Sequence, residues 1–248
     1  INPDLYLVGE IWDDATAWVD GGTRFDGVMN YPVTEAMIRF AAQGRLDEEI
    51  IAPVNLTLTP PLDAAGYAAV IDAHLERYPW DAHLCNLNLL GSHDTARVRS
   101  MLAGDDAALR LALVMLLTFP GAPSIYYADE IGMTGAHDPG CRAGFPWDSP
   151  ESWDSGLLEA HRSLIALRHA HPALRRGAYR PVAAAGSLCV FAREGEGGAI
   201  LVAVNAGDEA AGAATGGAPG GILWGEGRTE GDIVIVPGRS AAIWEFGR

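Results

Sequence analysis

A short apolar run, Leu84 to Leu90, stops at Gly91-Ser92 and delivers His93 and Asp94 side by side. The run has the length and composition of a buried strand. Two ionisable groups at the end of such a strand are costly unless they are hydrogen-bonded, paired or used. In parallel α/β folds the carboxyl ends of the strands are where chemistry is placed. A helix cap is the plain alternative, with Asp94 or Thr95 capping the next helix and His93 a satisfied neighbour.

The arrangement recurs along the chain. Leu5-Tyr6-Leu7-Val8 is an apolar run of strand length that ends at Gly9-Glu10-Ile11-Trp12. Phe25 to Tyr31 is a second strand candidate, stopped by Pro32 at the start of a helix over 33–42, with Gly44 as its C-cap. Asp63 caps a further helix, 64–77, which Pro79 ends. Asp105 and Asp106 open an apolar helix, 107–118, stopped by Phe119-Pro120-Gly121. Pro123 to Tyr127 is the fourth strand candidate, and Asp129 and Glu130 follow it. Residues 132–154 form a long irregular stretch that its tryptophans mark as ordered, and 156–169 are again helical. Four strand–helix units predict a parallel sheet. They amount to half of an eight-stranded barrel. No GxGxxG or P-loop supports a nucleotide site.

After residue 173 helical spacing gives way to short β-type runs at 179–182, 188–192, 200–204, 233–236 and 242–246. They predict a small antiparallel sheet or sandwich. The Gly/Ala stretch 210–221 is expected to be a flexible loop. The formal net charge of −15 argues against nucleic acid and against an anionic membrane, and suits a neutral substrate such as a sugar. The longest apolar run, 111–117, is too short to span a bilayer. Cys85, Cys141 and Cys189 are far apart and read as reduced thiols, with no disulfide framework and no zinc site.

Four segments together resemble the C-terminal part of the α-amylase family, glycoside hydrolase family 13, within its neopullulanase, cyclomaltodextrinase and maltogenic-amylase subgroup. Tyr6-Leu7-Val8-Gly9-Glu10-Ile11-Trp12 resembles the family's strand-5 motif, and Phe25 to Pro32 its strand-6 segment. Leu89 to Arg97 resembles the strand-7 motif. Pro120 to Met133, continuing to Asp138-Pro139 and Arg142, resembles the strand-8 segment. Ala96 and Ala128 depart from the family's usual Pro and Gly. The resemblance implies an α/β fold in which residues 1–172 are strands 5–8 of a (β/α)8 barrel. Residues 173–248 would then be a β-sandwich C-terminal domain.

The resemblance also implies roles. Glu10 matches the general acid/base, Asp94 the carboxylate that stabilises the transition state, and His93 a ligand of sugar hydroxyls. Trp12 is a candidate stacking residue or a loop-packing one. Arg97, Asp129, Glu130 and Arg142 are expected to shape the pocket as an ion-pair network. The substrate class implied is an α-glucan oligosaccharide: maltodextrin, starch or cyclodextrin. No cofactor and no metal ligand is implied; a structural calcium occurs in the family, but nothing in this sequence points to one. The subgroup and the odd cysteine count suggest a cytoplasmic location.

In this family the nucleophile is an aspartate at the end of strand 4, in a stretch of the type G-x-R-x-D. No such stretch is read in residues 1–248, so the chain is read as starting at strand 5, with Ile1, and as lacking that aspartate. Hence it is expected to be inactive alone, and to self-associate or to need a missing N-terminal barrel half, because open sheet edges and apolar faces seek partners. Two other readings stay open: a non-catalytic remnant that binds glucan or protein through its β domain, and a fragment of an α-glucan transglycosylase.

Overall fold

The computed structural model describes residues 2, 4–19 and 23–247, so Ile1 lies outside it. Four two-residue parallel strands, β1 (Val8–Gly9), β2 (Gly27–Val28), β3 (Leu87–Asn88) and β4 (Ala122–Pro123), stand side by side in chain order. β1 pairs with β2 and β3 with β4, and Met29 bridges in parallel to Leu87. Between β2 and β3 run α1 (Tyr31–Ala42), α2 (Glu48–Ile51), α3 (Ala64–Leu75) and α4 (Trp80–Cys85). α5 (Val98–Met101) and α6 (Asp106–Thr118) join β3 to β4, and α7 (Ser155–Ala170) and α8 (Pro172–Arg176) follow. No helix among the described residues is long and apolar enough to cross a membrane.

The helix starts follow from local chemistry. Asp63, Asp105 and Asp154 each accept a hydrogen bond from a backbone N–H three residues on, at 2.7, 3.0 and 2.8 Å. Such a cap contributes about 1 kcal/mol. Two expectations fail here. Leu84 and Cys85 end α4 rather than begin a strand, because Pro79 initiates a helical turn that runs to Cys85 before Asn86 turns extended. The run Leu5 to Val8 is 37–56% exposed and only its last residue joins a ladder, since nothing described covers the outer side of β1.

Buried asparagines do much of what longer ladders would do. Asn86 Oδ1 accepts from Val28 N at 2.9 Å, Asn30 Nδ2 donates to Asn88 Oδ1 at 2.8 Å, and Asn88 Nδ2 donates to Pro120 O at 2.7 Å. All three side chains are at most 1% exposed. Each bond joins neighbouring strand segments. Gly27 allows the close approach: a Cβ there would sit 2.4 Å from Cys85 O.

The described residues of the C-terminal region form eight strands. They are β5 (Ala178–Ala185), β6 (Leu188–Gly195), β7 (Gly198–Asn205), β8 (Ala211–Ala214), β9 (Pro219–Gly225), β10 (Arg228–Glu230), β11 (Ile233–Val236) and β12 (Ser240–Phe246). Two antiparallel sheets form, in the orders β5-β6-β7-β12-β9 and β10-β11-β8. The expected loop at 210–221 is therefore largely strand. Its Gly and Ala residues pair with β11 from Ala211↔Val236 to Ala214↔Ile233, where side chains too small for a sequence signal still complete a ladder. Alternate residues of β6 and β7 face opposite sides. Val190, Leu201 and Trp244 pack towards Val234 and Val236 of the smaller sheet. Phe191, Val202 and Ile243 join α1, α3, α6 and α7 in the main core.

Two buried arginines seal that junction. Arg168 Nη1 donates to the carbonyls of Leu117, Phe119 and Leu174 at 2.9, 3.2 and 2.7 Å, and its Nη2 donates to Gly121 O. Arg193 on β6 donates to Thr118 O, to Leu174 O at 3.0 Å and to Gly177 O at 2.7 Å. Burial, then the like charge beside each, pulls Arg168 down to about 10 and Arg193 to about 9, so both stay charged at neutral pH.

Two predictions follow from burial. Arg193→Met strands the Thr118 and Gly177 carbonyls, Leu174 O keeping its bond from Arg168, and a buried unsatisfied group costs about 1–3 kcal/mol. The urea midpoint is expected to fall by the equivalent of about 3 kcal/mol; an unchanged midpoint refutes the sealing role. His74, 4% exposed, has neither ring nitrogen hydrogen-bonded. Burial, with His83 beside it, pulls its pKa from 6.5 to about 3. The unfolded chain binds this proton near 6.5 and the folded chain only near 3. Its contribution is therefore complete above the unfolded value and is lost as pH falls through that window, by up to about 1.4 kcal/mol per unit. His74→Leu is expected to flatten the stability–pH slope there; an equal slope in both proteins refutes it.

Candidate active site

Glu10 follows β1, and His93 and Asp94 follow β3, all at the carboxyl ends of parallel strands. Donor atoms of the three side chains lie within 4.8 Å of one another, and all three residues are exposed. Among the described residues this is the one group of three or more His, Cys, Asp and Glu side chains that meets so closely. His93 Nε2 sits 3.2 Å from Asp94 Oδ2. The cluster offers ligands to a cation, but Arg142 Nη2 already holds Asp94 Oδ1 at 2.9 Å. A guanidinium there repels a second positive charge.

Tyr31, the first residue of α1, ties the two strand ends together. Its hydroxyl contacts Glu10 Oε1 at 3.2 Å and Ser92 Oγ at 3.1 Å. Ser92 Oγ in turn accepts from Asp94 N at 3.2 Å. Tyr31 is fully buried, and burial pushes its pKa up, so the hydroxyl stays protonated as a donor to the Glu10 carboxylate. Trp12 stacks flat on Tyr31, with ring centroids 3.7 Å apart and planes 3° from parallel. One face of Trp12 is thus spent on packing. Sequence reading singled out neither Tyr31 nor Ser92 as functional, although Tyr31 lies in the segment that resembles strand 6 and Ser92 in the one that resembles strand 7.

The four residues read as one ion-pair network separate into two. Arg97, 1% exposed, donates to Asp129 Oδ1 at 3.0 Å and lies 4.2 and 4.5 Å from the ring centroids of Tyr126 and Tyr127. Burial pushes the Asp129 carboxyl up to about 7 against the pull of Arg97. This pair stands behind the site, where a Cβ on Gly91 would come within 3.1 Å of Asp129 Oδ2. Arg142 forms the second group, binding Asp94, His93 O at 2.9 Å and Asp138 at 3.0 Å. Glu130 joins neither; its Oε2 is buried without a partner.

The reading that no G-x-R-x-D stretch occurs needs correction, because Gly22-Thr23-Arg24-Phe25-Asp26 has that spacing. Asp26 is not a nucleophile at this site. It precedes β2, at the amino end of the strand, and its Oδ2 accepts from Leu7 N at 2.7 Å. A carboxylate at that end faces away from the end that carries Glu10 and Asp94.

Residues 1–162 match the family described as alpha amylase, catalytic domain. A cyclomaltodextrinase of Geobacillus thermopakistaniensis is 38% identical over 213 residues, covering 85% of this chain and 33% of that protein. Neopullulanase 2 of Thermoactinomyces vulgaris is 41% identical over 184 residues, covering 73% of this chain and 28% of that protein. The native debranching enzyme of Nostoc punctiforme superposes with a TM-score of 0.92 at 41% identity, covering 98% of this chain and 52% of that one. The chain thus spans about a third of the length of these curated relatives and about half of that solved structure. The parallel strands, the acids at their ends and the sequence match agree: the chain belongs to the α-amylase family of glycoside hydrolases.

Proposed function

We propose that residues 1–248 form the acid/base side of a retaining α-glucan hydrolase site of the neopullulanase type, acting on maltodextrins, starch or cyclodextrins. One observation carries this reading. Glu10, after β1, and His93 and Asp94, after β3, converge across the end of β2, their donor atoms within 4.8 Å of one another. A retaining glycosidase needs a carboxylic acid to protonate the leaving oxygen and ionised carboxylates to meet positive charge on the sugar ring.

In this mechanism Glu10 protonates the glycosidic oxygen and later takes a proton from water. Asp94, fixed by Arg142 and by its own N–H to Ser92, faces the developing oxocarbenium ion. His93 bonds ring hydroxyls. Trp12 offers its free face to a sugar. Arg97 with Asp129, and Arg142 with Asp138, hold the loop between them. Tyr31 is a positioning residue that sets the distance between Glu10 and the Asp94 loop. The covalent nucleophile is a third carboxylate, carried on further barrel strands that cover the exposed edge at Leu5 to Val8. Residues 1–172 are then the barrel portion and 173–248 the β domain. No cofactor enters this chemistry.

The reading is tested with the pure 248-residue polypeptide and with the same polypeptide after addition of barrel strands 1–4 from a related enzyme. Alone, it is expected to bind maltoheptaose but to release no reducing sugar from maltodextrin, and to self-associate in light scattering as its concentration rises. Retaining turnover by the polypeptide alone refutes the nucleophile assignment, and failure to bind any maltooligosaccharide refutes the substrate class. In the complemented enzyme, Tyr31→Phe removes one hydrogen bond to a charged group, worth about 1.5–3 kcal/mol. It is expected to lower kcat by roughly 10- to 100-fold with KM nearly unchanged, and an unaltered kcat removes Tyr31 from the mechanism.

A further inference from the structure

A second groove lies between α6 and the ends of β9 and β12, elements that carry none of the residues assigned above. It encloses about 350 Å³ and is lined by Arg110, Leu111 and Val114 on one wall, and by Trp224, Glu226 and Ser240 on the other. Trp224 is half-buried on a strand, packs in part against the main core and turns its remaining surface to the groove; its Nε1 donates to Ser163 Oγ at 2.9 Å, which fixes the plane of the indole. Gly225 beside it has φ +80, and a Cβ there would sit 2.0 Å from Ala241 O, so the backbone holds the Trp224-Gly225-Glu226 turn in one shape.

Arg239 also lines the groove and is held by Asp105 and the carbonyls of Ala41 and Ala206, whereas the other polar side chains around this ring have unused capacity. The Glu226 carboxylate and the Ser240 hydroxyl have no hydrogen-bond partner among the described residues. Arg110 makes a single hydrogen bond, to Gly156 O at 3.2 Å, out of the five N–H groups of a guanidinium. A larger cavity of about 560 Å³, beside α8, is lined by Arg175, Arg176, Glu194 and Glu196 with no aromatic ring. A rigid tryptophan bordered by a free carboxylate, a hydroxyl and a guanidinium has different chemistry. It offers an apolar platform to the C–H face of a pyranose and fixed donors and acceptors to its hydroxyls. The net charge of −15 disfavours an anionic ligand.

We propose that this groove is a second carbohydrate-binding site, which takes two or three units of a neutral α-linked gluco-oligosaccharide and performs no chemistry. The choice of α-glucan rests on the function proposed above; the site itself rests on the Trp224 groove.

The test is calorimetric titration of the 248-residue polypeptide with maltotriose, alongside Trp224→Ala, Glu226→Ala and His93→Ala. Glu226 is exposed and unpartnered, so its variant keeps the fold even where loss of Trp224 disturbs it. The expected result is two binding events in the wild-type protein. Trp224→Ala and Glu226→Ala each weaken one of them at least about tenfold, and His93→Ala weakens only the other. The groove is overturned if both groove variants keep wild-type stoichiometry and affinity while His93→Ala removes all binding, an outcome that leaves the α-glucan reading standing. If the wild-type protein binds no maltotriose but binds a β-linked glucotriose in a Trp224-dependent way, the α-glucan class falls and the groove stands as a carbohydrate site. If it binds neither sugar, both fall.

Discussion

Two guanidiniums buried without a carboxylate hold this molecule together. Arg168 and Arg193 spend their N–H groups on the carbonyls of Leu117, Thr118, Phe119 and Gly121, where α6 ends and the chain turns into β4. The last carbonyls of a helix have no partner within it and carry partial negative charge. Two positive charges satisfy both requirements together, and the helix end offsets part of their desolvation. The same turn receives Asn88 Nδ2 on Pro120 O, one residue before Leu89 and Leu90 lead to the His93-Asp94 loop. Gly121, at φ +109, allows this crowding: a Cβ there would stand 2.7 Å from both Asn88 Nδ2 and His83 O. Arg193 of β6 and Asn88 of β3 thus meet at one turn, a few residues before the His93-Asp94 loop.

The site is held by short polar links rather than by a wide sheet. β1 has a two-residue ladder and an exposed run before it, so the sheet alone positions Glu10 weakly. Tyr31 supplies the missing constraint. It comes from α1, a helix packed against α3 and α6, and reaches both strand ends with one hydroxyl. The aromatic stack with Trp12 restrains the residues just after Glu10. The acid and the Asp94 loop are thus tied to the helical core as well as to their strands.

Much of this was legible in the sequence wherever one residue dictates one local structure. Aspartates 63, 105 and 154 cap helices because a short carboxylate placed before a run of N–H groups has few other options. The acids at strand ends were legible for a related reason, since an ionised group after an apolar run demands use or pairing. What failed was set by tertiary contacts. Leu84 and Cys85 look like strand residues, but the turn after Pro79 keeps them helical. Strands β8 and β9 are Gly- and Ala-rich, and only their partners β11 and β12 make them strands. Tyr31 lies in the strand-6-like segment, but its contacts with Glu10 and Ser92 arise only because α1 begins at the end of β2, between the ends of β1 and β3.

Glu10, His93 and Asp94 are exposed, so burial does not explain why they stand together. Exposed carboxylates are solvated and need no pairing to be tolerated, so their closeness is not imposed by burial. It is imposed by Tyr31, Ser92 and Arg142, none of which is required to fold a parallel strand. Arg142 balances one negative charge of the pair, which lowers the repulsion that would otherwise push two carboxylates apart. A constellation maintained by three dedicated contacts at an open strand edge is prepared for charge that arrives with a ligand.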